Sequence, residues 1–180
     1  MNVTQSKKWQ KRFMRMAFQT ASWSKDTSSQ VGSVIATSMG DPRSFGFNGM
    51  PRGVNDDVPE RHERPEKYFW FEHAERNAIY QGRDLEGCTM FITHMPCPDC
   101  ARAIIQSRLS QVIVATMNGR DSEFMKLREQ NLRVSLPMLK EAGIVYLEIV
   151  NDVHLERIDS EWMVVPRVDV AAWEYDVEDK

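Results

Sequence analysis

His73-Ala74-Glu75 and Pro96-Cys97-Pro98-Asp99-Cys100 are the two fragments from which the rest of the chain is read. His73, Cys97 and Cys100 are one imidazole and two thiols, the donors zinc favours. Three such ligands leave the fourth tetrahedral position to water. Glu75 stands two residues from one ligand, near enough to exchange protons with that water without binding metal. Each fragment reads as a helix start, the first running from about His73 to Gln81 and the second from Cys97 to Ser107. Pro98 suits a first helical position. A helix N-terminus favours negative charge and so helps both thiols towards thiolate. Their spacing of three puts both sulfurs on one helical face. A structural zinc would need a fourth ligand, for which His94 and His62 are the available residues. Cys88 reads as a small buried strand residue.

Outward from this centre the chain alternates helix and strand. Trp9, Phe13, Met16, Ala17 and Thr20 recur at helical spacing over about residues 6–23, with Ser6 as N-cap. Val31 to Ala36 and Ser44 to Asn48 read as two strands of a hairpin turned at Gly40-Asp41-Pro42. Residues 49–67 form a loop rich in Pro, Gly and charge, long enough to suggest a functional role. An aromatic run, Tyr68-Phe69-Trp70-Phe71, follows it; Trp70 and Phe71 suit core packing or, alternatively, the wall of a substrate pocket. Cys88 to Thr93, Gln111 to Thr116 and Ile144 to Val150 are strands, and helical patterns cover 121–131 and 135–142. The last thirty residues suggest one strand and an acidic tail. This order predicts a mixed sheet with helices on both faces.

At 180 residues the chain fits one domain with an adequate core. Its three cysteines, two of them in a C-x-x-C, argue against a disulfide framework and for a reducing, cytoplasmic setting. No apolar run reaches membrane-spanning length. The formal charge of −3 lacks the excess of basic residues that long nucleic acid requires, so a small substrate is expected.

Four motifs together resemble one family, the deoxycytidylate (dCMP) deaminases of the zinc-dependent cytidine/deoxycytidylate deaminase superfamily, phage and bacterial members included. They are Ser24-Lys25-Asp26 to Val31-Gly32-Ser33-Val34-Ile35, Gly46-Phe47-Asn48-Gly49-Met50-Pro51-Arg52-Gly53, His73-Ala74-Glu75-Arg76-Asn77-Ala78-Ile79 and Pro96-Cys97-Pro98-Asp99-Cys100-Ala101. The paired His-x-Glu and Pro-Cys-x-x-Cys are also the general signature of zinc nucleobase deaminases. The resemblance covers about residues 8–150. It implies a cytidine-deaminase-like three-layer α/β/α sandwich around a mixed five-stranded sheet, with a deaminase domain at 1–150 and a C-terminal extension at 151–180.

The implied activity is hydrolysis of dCMP to dUMP and ammonia for thymidylate synthesis, with one Zn2+ per chain on His73, Cys97 and Cys100 and with Glu75 as proton shuttle. The family pattern further implies a homohexamer activated by dCTP and inhibited by dTTP, with Mg2+ accompanying the triphosphate. By position, Asn48 would bind the deoxyribose or hold the effector loop, and Lys25, Ser24 and Arg120 would meet the 5′-phosphate. Phe47, Asn48, Gly49, Arg52, Lys67 and Arg76 would surround the effector. Phe47 stands where relatives carry Tyr, and Gly119 stands where many carry Tyr before Arg120. Ser28, Ser29 and Val54 replace the Cys and His of a second, structural zinc, and His94 reads as an ordinary loop histidine. Three rivals remain. A tRNA adenosine deaminase would want a basic surface, a free cytidine deaminase lacks the Asn48 loop, and a silent dTTP/dCTP sensor would not need Glu75.

Overall fold

The apolar stripe of the first helix decides which way the sheet faces. In this computed structural model, which describes residues 3–115, 122–149, 153–158 and 161–166, α1 is Lys7–Ala21, β1 Gly32–Ala36, β2 Pro42–Phe47, α2 Lys67–Trp70, α3 Ala74–Gln81, β3 Thr89–Ile92, α4 Pro98–Gln106, β4 Gln111–Ala115, α5 Ser122–Glu141, β5 Val145–Ile149, β6 Val153–Ile158 and β7 Glu161–Pro166. Phe13, Met14, Ala17 and Phe18 of α1 pack on Val34, Ala36, Phe91 and Ile113. The alternate strand residues, Ile35, Met90, Ile92, Val112 and Val114, face the other way and pack with Ala78, Ala101, Ile104 and Leu139 from α3, α4 and α5. Strand periodicity thus assigns one helix to one face and three to the other. The sheet order is β2-β1-β3-β4-β5. β1 runs antiparallel to β2 and β3, while β3, β4 and β5 are mutually parallel. This is the expected three-layer sandwich. Every residue of β1, β3 and β4 is buried, as strands covered on both faces must be.

Two glycines permit close seating of helices. A Cβ on Gly32 would lie 2.0 Å from the Ala17 carbonyl oxygen, and one on Gly46 would lie 2.4 Å from the Ala74 carbonyl oxygen and from the Ala78 nitrogen. Both obstacles are backbone, so no side chain can swing away. Gly46→Ala must lift α3, which carries Glu75, off the sheet. The expected loss is at least about 1–3 kcal/mol, the usual cost of overpacking, read as a lower urea midpoint with an unchanged slope. An unchanged midpoint would show that α3 does not depend on this approach.

Several elements differ from the sequence reading. The two helical patterns at 121–131 and 135–142 are one helix, α5, which runs through Pro137. Ser135 and Leu139 are fully buried on either side of the proline, and that packing holds the helix together despite the lost backbone donor. The loop 49–67 contains a 3-10 turn at Pro59–His62, and the aromatic run begins as the short helix α2. Beyond β5, the single expected strand is a pair, β6 and β7, antiparallel to each other in a separate two-stranded sheet. Two six-residue runs two residues apart are hairpin spacing, a signal the alternation of charge concealed. The acidic tail lies outside the described residues. Among those described, no helix is long and apolar enough to cross a membrane.

Candidate metal centre and its cleft

Both ligand-bearing fragments fall at a helix start, the first after α2 and an isolated bridge at Glu72 and the second after β3, on the face of the sheet covered by α3 and α4. His73 and Cys97 are the N-cap residues of α3 and α4, each in extended conformation, so each helix begins one residue later than expected. An N-cap lies just outside the helical turn, so its side chain can reach across to the neighbouring helix. His73, Cys97 and Cys100 offer ligand atoms all within 4.8 Å of one another. His73 Nδ1 is 3.5 Å from Cys97 Sγ and 3.4 Å from Cys100 Sγ. A tetrahedral zinc with its ordinary bond lengths separates a bound nitrogen from a bound sulfur by roughly 3.5 Å. The donor set and its spacing therefore fit the ion. Among the described residues no fourth ligand joins this group: His62 Nε2 is 2.8 Å from the Asp56 carbonyl oxygen.

Protonation preferences reflect the crowding. His73 is pushed up to about 9, chiefly by its contact with Cys97 and against the effect of burial. Cys97 is drawn down to about 4, first by Cys100 acting as donor to it and then, with burial opposing, by His73. Cys100 is pushed upwards by the same contact and by burial. Glu75, only 3% exposed, is raised to about 7 mainly by burial, with the positive His73 opposing. A carboxyl poised near neutrality can both accept and return a proton.

His73, Cys97 and Glu75 line a cleft of about 170 Å³, with Cys100 buried behind them. One wall is a buried polar network. Lys67 Nζ donates to Asp26 Oδ1 at 3.0 Å and Oδ2 at 2.8 Å, and to Ser28 Oγ at 2.5 Å. Burial works against the Asp26 charge, but Lys67 and Ser28 hold its carboxyl below the ordinary range. Asn48 Nδ2 donates to Asp26 Oδ2 at 3.2 Å and to the Ser29 carbonyl at 2.9 Å, while Oδ1 accepts the Val31 N–H at 2.7 Å. Both amide protons of Asn48 are thus engaged in holding the loop after α1 against the start of β1, although its side chain still lines the cleft.

The other site residues named from sequence fall in different places. Ser24 is buried, donating to the Asn48 carbonyl at 2.7 Å and accepting the Asp26 N–H at 3.2 Å. Lys25 is exposed and paired with Asp56 at 2.7 Å. Phe47 stands edge-on to Trp23, and its carbonyl accepts from Asn77. Gly49 forms an isolated bridge with Glu72, while Arg52 is exposed in the following loop. Arg76 is bound to Glu72. Arg120 lies outside the described residues.

His94 is no ordinary loop histidine: it is buried, lines the cleft, and sets Nδ1 3.1 Å from the Thr93 hydroxyl. Phe71 lines the cleft as well, whereas Trp70 lies under the Arg61 guanidinium. Sequence reading gave no site role to Arg64, Tyr68, Met95 or Asn131, all of which line the cleft. Arg64 and Tyr68 precede His73 closely, a proximity that marks them in retrospect. Asn131 comes from α5, and nothing local in the sequence points to it.

Comparison with known proteins gives a consistent result. The model of the cytidine and deoxycytidylate deaminase zinc-binding region matches residues 7–116. An uncharacterized deaminase in the luxG 3′ region of Aliivibrio fischeri is 45% identical over 138 residues, 76% of this chain and 90% of that protein. The deoxycytidylate deaminase of Homo sapiens is 39% identical over 122 residues, 64% of this chain and 68% of that protein. The crystal structure of the dCMP deaminase from the cyanophage S-TIM5, in complex with dCMP and dUMP, shares the fold. Its TM-score is 0.60 at 22% identity, covering 80% of this chain and 98% of that one.

Proposed function

This chain belongs to the cytidine and deoxycytidylate deaminase zinc-binding family, and from that premise we propose that it hydrolyses dCMP to dUMP and ammonia. The observation that carries the reading is Glu75, a buried carboxyl lining the same cleft as His73 and Cys97, whose ligand atoms cluster with that of Cys100. Zinc held by those three residues supplies the Lewis acidity that sharpens water into a nucleophile at neutral pH. Glu75 takes a proton from the attacking water, delivers it to N3 of the pyrimidine, and helps the amine leave as ammonia. Its burial keeps it from competing solvent and keeps its affinity for the proton near balance. His94 and Phe71 line the cleft in which the flat ring would sit.

A nucleotide is favoured over a nucleoside by the charges at the rim. Lys67 is neutralised by Asp26 and Lys25 by Asp56, whereas Arg64 has no ion pair with any described residue. A guanidinium so exposed suits a phosphate. The product supplies thymidylate synthesis in this reading. The enzyme is a cytoplasmic homohexamer whose activity rises with dCTP and falls with dTTP, bound with Mg2+ beside the Asn48 loop. Ammonia release from dCMP, deoxycytidine and CMP, each with and without dCTP and dTTP, tests it. dCMP should be the fastest substrate. Silence towards all three by zinc-loaded protein would refute the activity.

A further inference from the structure

We infer that Arg76 is a positioning residue that straps together the two helix starts carrying the metal ligands, holding His73 through Glu72 and reaching α4 through Asp99. This rests on the proposed metal role of His73, Cys97 and Cys100. Glu72 Oε1 accepts the His73 backbone N–H at 2.9 Å and Arg76 Nε at 2.5 Å, so one carboxylate oxygen joins the ligand residue to the guanidinium. Glu72 is itself fastened on the other side. Its N–H donates to the Gly49 carbonyl at 2.8 Å, and its carbonyl accepts the Gly49 N–H at 3.1 Å. From the opposite end of the fork, Arg76 Nη1 lies 3.9 Å from Asp99 Oδ2, in the first turn of α4 between Cys97 and Cys100.

An exposed i,i+4 ion pair contributes little to any fold. Here, however, the Arg76 and Glu72 side chains are each only 20% exposed. Burial disfavours the Arg76 charge, yet Glu72 and the nearby Cys100 and Cys97 more than restore it. The guanidinium therefore sits between the starts of the two helices that carry the ligands, and its planar fork can serve more than one partner at once. His73 and the cysteines come from separate elements, so something must hold their separation before the ion arrives. Residues that orient ligands in this way are typically worth 10–100-fold in metal affinity.

The test is zinc retention by the full-length, zinc-loaded protein against a chromophoric chelator. Arg76→Leu should surrender zinc roughly 10–100-fold more readily, and Arg76→Lys, a point charge without the fork, should fall between it and wild type. Glu72→Gln should weaken retention alone but add little on top of Arg76→Leu, because both break the same strap. If Arg76→Leu also lowers the melting temperature of metal-stripped protein, Glu72→Gln alone decides, since it preserves shape and the guanidinium. Unchanged retention in Arg76→Leu, unchanged retention in Glu72→Gln, or effects that simply add, overturns the inference while leaving the metal site intact. A wild-type protein that never takes up zinc would overturn both, and is told apart at the first measurement.

Discussion

Replacing Glu75 with glutamine is expected to leave zinc content unchanged and to lower dCMP turnover by roughly 10²–10⁴-fold, the range that a positioned general acid–base supplies. Glutamine keeps the shape and the burial but can neither take a proton from water nor return one to the ring. Because one carboxyl serves several transfers, the loss should fall near the top of that range. Zinc measured against protein, together with the rate of ammonia release, separates this from loss of the metal. Activity retained within tenfold of wild type would exclude Glu75 as the shuttle.

The same substitution carries a pH signature in metal-stripped protein. Burial raises the native Glu75 carboxyl to about 7 from its ordinary value of 4.5. Across that window the native chain holds a proton that the unfolded chain has lost, so stability falls as pH rises through it. Above the native value the cost is complete, and below the unfolded value it is absent. Metal-stripped Glu75→Gln should therefore melt above metal-stripped wild type at pH 8, and the gap should close by pH 4. A constant gap would contradict the assigned environment.

The second large effect is at sulfur. Cys97→Ala or Cys100→Ala should abolish stoichiometric zinc and, with it, measurable turnover, because two remaining donors are too few to hold a catalytic zinc. Cys97 is half-buried at the mouth and Cys100 is wholly buried, but truncation to alanine removes only one atom from either. The fold should survive, and circular dichroism would verify it. Uptake of zinc should also release protons, since His73 is raised and Cys100 is pushed upwards in the bare chain. Calorimetry in buffers of different ionisation enthalpy reads that release directly. Full zinc occupancy in either alanine variant would remove that cysteine from the ligand set.

Some of this was visible in the chain before it was folded. His73, Glu75, Cys97 and Cys100 stand at helix starts, the second marked by Pro98 in its first turn, and short-range chemistry of that kind leaves a short-range trace. The strands were readable for a similar reason: residues such as Val34 and Ile35 face opposite layers, so both must be apolar. By contrast, the gap read at 132–134 is spanned by α5 without a break, and the buried Ser135 and Leu139 carry that helix through Pro137. Lys67 reads from sequence as one of the residues around an effector, although its charge is spent on Asp26, a residue 41 positions away.

By itself, then, the sequence determined the donor types, their helix-start positions and the layered α/β pattern, since these follow from spacing within a few residues. Only the tertiary structure decided which charges remain available in the cleft, that Asn48 is committed to its own loop, and that Asn131 faces the site. Those facts depend on contacts between distant segments. Burial and pairing are properties of the packed chain, and no local window of residues contains them.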